Sequence, residues 1–92
     1  MRPEDLPEEE KLVQLAEEAA ELAQAALKLY RALNDTTPVK EIDAREHLLE
    51  EIADVKVCAG VLTNHADDWT IKNMAAKKYR RWERRINDGS IL

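Results

Sequence analysis

Five carboxylates in this chain stand at spacings that matter chemically: Glu17, Glu18 and Glu21 in one group, Glu51 and Asp54 in another. Helical steps of about 100° per residue put Glu17, Glu18 and Glu21 on one side of a first helix. The same steps put Glu51 inside the apolar face of a second helix, centred on Leu48, Val55, Ala59 and Leu62, with Asp54 at its edge. A carboxylate aimed at a core is costly unless a cation or a basic side chain meets it. If the two helices pack antiparallel, four or five carboxylates converge. Two like unit charges ~4 Å apart repel by about 4 kcal/mol at an effective dielectric of about 20, so such a cluster is tolerable only around a cation. Oxygen-only ligands favour magnesium, or manganese in its place, over zinc. Magnesium keeps several waters and shares its shell with substrate phosphates. The pattern therefore points to phosphate chemistry, with one carboxylate free to orient or deprotonate a water. By themselves, Glu17, Glu18 and Glu21 read first as a solvated acidic face.

A basic row complements the acids. Lys78, Arg81 and Arg85 fall on one stripe of a third helix, at offsets of three and four, while Lys77, Arg80 and Arg84 lie on the other side, toward solvent. The row suits phosphates, or the acids of another helix. His47, four residues before Glu51, and His65, eleven after Asp54, lie near the second-helix stripe. They read first as structural or surface histidines, with a ligand or base as the other reading. Trp69 and Trp82 read as core or interface residues before they read as base-stacking platforms. Cys58 is the single cysteine, set among Val57, Ala59 and Val61, and is expected to be a buried, inert thiol. It rules out an intrachain disulfide and any cysteine-based zinc cage.

Three helices must position these groups. Pro7 and then Glu8, Glu9 and Glu10 predict a helix from about residue 7 to 33, with apolar residues from Leu12 to Leu33 at helical spacing. Asn34 to Pro38 is loop punctuation. The second helix is expected to begin between Pro38 and Asp43, capped by Thr37 or Asp43, and to run to Asn64 or Ala66. From Leu48 to Leu62 it is apolar around most of its circumference, where a surface helix would show one stripe. That predicts a second subunit packed on it. Ala66, Asp67 and Asp68 are expected to form the second break, with Asp67 or Asp68 capping a third helix from Trp69 to Ile86. Its stripe is Ile71, Ala75, Tyr79, Trp82 and Ile86, with Met74 at the margin, and Asn87 or Gly89 supplies a left-handed end.

The fold class is thus all-α: three main helices per chain, one domain over residues 1–92, in a helical bundle completed by oligomerisation. The composition agrees, since 45% hydrophobic and 36% charged residues with only two glycines suit a helical chain. A net charge of −5 argues against a stable nucleic-acid complex. No apolar run approaches the ~20 residues needed to cross a membrane. The N-terminus, Met-Arg-Pro-Glu-Asp, is too acidic for a targeting peptide, so a cytoplasmic location is expected.

Glu17-Glu18-Ala19-Ala20-Glu21, followed later by Glu51-Ile52-Ala53-Asp54, resembles the signature of the MazG-like, all-α nucleoside triphosphate pyrophosphatases. The lead-in Leu15-Ala16 and the flanking Glu50 and Val55 agree with it, and the stretch Lys78 to Ile86 resembles the basic C-terminal helix of small members. The resemblance implies cleavage of a nucleoside triphosphate between the α and β phosphates, yielding a monophosphate and pyrophosphate. By matching position it implies magnesium ligation by Glu18, Glu21, Glu51 and Asp54, with Glu17 as an outer ligand or a positioner of water. Lys78, Arg81 and Arg85 would hold the phosphate tail, and the chain would assemble as a homodimer or homotetramer. A phosphoribosyl-ATP pyrophosphatase would use the same cage. A non-catalytic helical interaction module, pairing the acidic first helix with the basic third across subunits, is the reading from another class.

Overall fold

Pro7 and the three glutamates behind it start the first helix as their chemistry dictates: α1 spans Glu8–Leu33, with Pro7 at its N-cap and Glu8, Glu9 and Glu10 in the first turn. The computed structural model describes residues 1–89. Among them are α1, α2 (Glu41–Leu62), α3 (His65–Asn87) and a single 3₁₀ turn at Pro3–Asp5, and no strand. They divide into two units, Met1–Leu62 and the segment from Thr63 onward.

The first unit is an α1–α2 hairpin. Its turn is built by a helix end that runs without glycine. Asp35 takes a left-handed φ of 55°, Thr36 N donates to Arg31 O at 3.0 Å, and Asp35 N donates to Ala32 O at 3.3 Å. That is the double closure of a Schellman motif, supported by Thr36 Oγ1 on Arg31 O and Asn34 Nδ2 on Tyr30 O. Neither Thr37 nor Asp43 caps α2. Thr37 Oγ1 accepts from Val39 N within the connection, Asp43 lies inside the first turn, and Lys40 O accepts the first helical bond, from Ala44 N.

Leu29 and Ala32 of α1 meet Ala44 of α2, with Leu48 against them. Lower down the hairpin, Glu18 faces Glu51 and Asp54. Rising numbers on α1 thus meet falling numbers on α2, the antiparallel packing that the site requires. Ala25, Ala32 and Ala44 are small enough to let the backbones approach, and they are buried. No large side chain of the described residues is fully buried. The N-terminal turn packs on α2, bringing Pro3 and Leu6 beside Val57, Cys58 and Val61.

The second unit corrects the expected break. It falls at Thr63–Asn64, not at Ala66 to Asp68, so α2 ends earlier and α3 starts four residues earlier than the sequence suggests. The cause is a reciprocal capping box: Asp67 N donates to Asn64 Oδ1 at 2.9 Å, and Asn64 N donates to Asp67 Oδ2 at 3.1 Å. Asp67 and Asp68 are first-turn acids, not caps. His65 accordingly opens α3 and is not on the α2 stripe. At the other end Gly89 has the left-handed φ of 69° expected of it. No residue of α3 is buried, and Trp69 and Trp82 are both exposed, so neither is a core residue of its unit.

Candidate metal centre

Antiparallel packing of α1 on α2 brings three of the five predicted acids together. One carboxylate oxygen each from Glu18, Glu51 and Asp54 lie within 4.8 Å of one another. Glu51 is the buried member, with a side chain only 10% exposed. Glu18 is half-buried and Asp54 exposed, so the group opens toward solvent on the Asp54 side.

The burial leaves a deficit. Glu51 Oε1 lies 3.3 Å from His47 Nε2, one turn earlier on α2, an ion pair when the imidazole carries both protons. Glu51 Oε2 and Glu18 Oε2 are both buried without a hydrogen-bond partner. A buried carboxylate oxygen with nothing to accept from is strongly destabilising, and two of them belong to the same group. An all-oxygen donor set with unfilled lone pairs matches a hard divalent cation. Glu18, Glu51 and Asp54 are thus an acidic triad able to hold a divalent cation.

The electrostatics agree. Desolvation, and then the charges of Glu21, Asp54 and Glu51, push the Glu18 carboxyl above its ordinary range. Glu21 is exposed and outside the tight group of three, but it stands close enough to accept a hydrogen bond from the protonated Glu18 carboxyl. It also shares with Glu51 and His47 a cavity of about 540 Å³ between α1 and α2. Glu17 is exposed and stands outside the group. Cys58 is half-buried near the cluster, and desolvation with the charges of Glu18 and Asp54 pushes its thiol up, which keeps it protonated and inert.

On α3, Lys78 and Arg81 come together with Lys77, Arg80 and Arg84 around a surface recess of about 350 Å³, whereas Arg85 does not line it. The two flanks that helical projection separates are thus joined, because long side chains reach across the helix surface. Two further cations, Lys28 and Arg31, line the α1–α2 cavity. Their sequence signal is their offsets of seven and ten residues from Glu21 along α1.

No helix among the described residues is long and apolar enough to cross a membrane. No family model, no curated protein and no solved structure matches this chain.

Proposed function

We propose that this chain is a magnesium-dependent nucleoside triphosphate pyrophosphohydrolase, cleaving between the α and β phosphates. The observation that carries the reading is the buried, half-satisfied Glu51 carboxylate beside Glu18 and Asp54 where α1 packs on α2. The motif resemblance supplies the substrate class. Magnesium, or manganese in its place, would neutralise phosphate oxygens and acidify a water. Glu18, Glu51 and Asp54 would hold the ion, with Glu21 completing the set from the rim. Glu17, a solvent-facing carboxylate outside that set, would orient the attacking water or take its proton as pyrophosphate leaves. The resemblance assigns the phosphate tail to Lys78, Arg81 and Arg85. The working form would be a homodimer or homotetramer whose bundle is completed between subunits, acting in the cytoplasm without membrane or stable nucleic-acid partners.

The His47–Glu51 pair favours a second reading, a non-catalytic interaction module in which Glu51 has found its basic partner within the hairpin. Such a pair fills one oxygen and needs no divalent ion. Ligand binding to the folded state raises stability by mass action, so magnesium-dependent thermal stabilisation separates the two.

The deciding experiment incubates the purified chain with each dNTP and NTP, and with phosphoribosyl-ATP, in magnesium or EDTA, and resolves the products. Monophosphate and pyrophosphate formed only with the metal are the expected result. Turnover of phosphoribosyl-ATP alone would move the substrate assignment, and diphosphate with free phosphate would break the proposed bond specificity. No turnover of any of these would overturn the enzyme reading.

A further inference from the structure

The α1–α2 cavity has two electrically distinct ends on one helix. Glu21, beside the carboxylate cluster, lies at one end, and Lys28 and Arg31 line the other, with Gln24 between them. At 1.5 Å per residue, Lys28 and Arg31 sit ~10 and ~15 Å along the helix axis from Glu21, and Lys28 projects within about 20° of the same direction. His47 and Glu51 close the cavity from α2. None of the ion pairs among the described residues uses Lys28 or Arg31; those pairs involve Arg2, Arg45, His47 and Lys72. Lys28 is half-buried, Arg31 is exposed, and both line the cavity. Unpaired cations in a concave site attract an anion, and a guanidinium offers a fork that matches phosphate oxygens. A ligand that satisfies both ends must offer metal-binding oxygens at one end and further negative charge at the other. A polyphosphate chain has that chemistry.

We infer that Lys28 and Arg31 form a phosphate-tail subsite, with Gln24 as a neutral donor beside them, so that the α1–α2 hairpin carries a polyphosphate clamp of its own next to the carboxylate cluster. The inference names the part of the substrate held in this cavity and rests on the polyphosphate chemistry proposed above. It differs from the clamp that the motif resemblance implies, since both cations lie on the same helix as Glu18 and Glu21.

The test is calorimetric titration of the full chain with tripolyphosphate in magnesium, and with magnesium by itself. The wild type should bind tripolyphosphate. The Lys28→Gln/Arg31→Gln double variant should bind it at least tenfold more weakly, with magnesium binding changed less than twofold. The pair Lys28→Arg/Arg31→Lys should recover most of the loss. A charge-matched control outside both basic groups, Lys40→Gln/Lys56→Gln on exposed positions, should stay within twofold of wild type. Equal affinity in the wild type and the α1 variant would overturn the inference. So would a loss confined to Lys78→Gln/Arg81→Gln, or a wild type that does not bind tripolyphosphate. Failure of the hydrolase reading looks different: tripolyphosphate binds through Lys28 and Arg31 but no nucleotide is cleaved, which leaves the subsite standing.

Discussion

Glu18 concentrates the electrostatic problem of the site. Its carboxyl is pushed up by desolvation and then by Glu21, Asp54 and Glu51, and one of its oxygens is buried without a partner. His47 answers only Glu51, and the nearby Cys58 stays neutral, so within the hairpin nothing positive offsets Glu18 itself. A carboxyl with a raised folded-state pKa binds its proton more tightly folded than unfolded. Its contribution to stability is full below the ordinary value of 4.5 and is lost as pH climbs through the raised one. In EDTA, the melting temperature should therefore fall as pH rises from the ordinary carboxylate range toward neutrality. Glu18→Gln should flatten that fall and melt higher than wild type at neutral pH. Magnesium should reverse the order, stabilising the wild type more at neutral than at acidic pH, because proton and cation compete for the same oxygens. Identical pH profiles for wild type and Glu18→Gln would remove the basis for this account. For Glu51→Gln and Asp54→Asn, the expectation is loss of nearly all magnesium-dependent turnover with an unchanged far-ultraviolet circular dichroism spectrum. Full activity in both variants would exclude them as ligands.

At the scale of the element, the helices differ in what holds them. α1 and α2 hold each other through Ala25, Leu29, Ala32 and Ala44. α3 buries none of its residues, so local terms carry it: the Asn64–Asp67 box, first-turn acids and the last-turn Arg84 and Arg85. Asn64→Ala should cost about 1 kcal/mol and show as a loss of helicity confined to α3 in hydrogen exchange, with the hairpin amides unchanged. Gly60 is a different kind of position. It sits within α2, and a Cβ added there would meet nothing within 4 Å. Gly60→Ala should therefore stabilise by about 1 kcal/mol, a rise of roughly 4–8 °C in melting temperature. The same contrast explains what the sequence discloses. The out-of-place Glu51 is visible in it because Leu48, Val55, Ala59 and Leu62 around it form a half-buried stripe, whereas on α1 the expected stripe is only partly the packed face: Leu29 is buried, Leu12, Tyr30 and Leu33 are exposed, and Ala25 and Ala32 carry the close contact. The α2–α3 break is harder to place because Asn64 and Asp67 act as a pair, and a run of Asp residues looks like punctuation when each is weighed singly. The place of Lys28 and Arg31 beside the α1–α2 cavity is hidden because a cation on an acidic helix reads as surface charge until the partner helix is packed alongside it.

The hairpin leaves apolar surface that its small core cannot use. One face of α2 packs on α1 through Ala44, Leu48 and Glu51, whereas Ile42, Leu49 and Val57, at 71%, 62% and 64% exposure, project away from that face, Val57 beside the N-terminal turn. Leu49 and Val57 belong to the Leu48-to-Leu62 stretch read from the sequence as apolar around most of its circumference, and both are exposed in the single chain. A chain of this size buries only a modest core by itself, and covering exposed apolar side chains between copies would add to it. Assembly of copies through these residues of α2 should therefore appear in sedimentation velocity as a dimer or tetramer, with a melting temperature that rises with protein concentration. Leu49→Lys/Val57→Lys should shift the chain to a monomer at the same concentrations and remove that dependence. Neither residue belongs to the carboxylate group, so a monomeric variant that still gains stability from magnesium would place the metal centre within a single hairpin. A variant that loses both assembly and the magnesium effect would mean that the hairpin needs its neighbour to hold Glu18 against Glu51. Unaltered sedimentation in the double variant would show that these residues of α2 are not where copies meet.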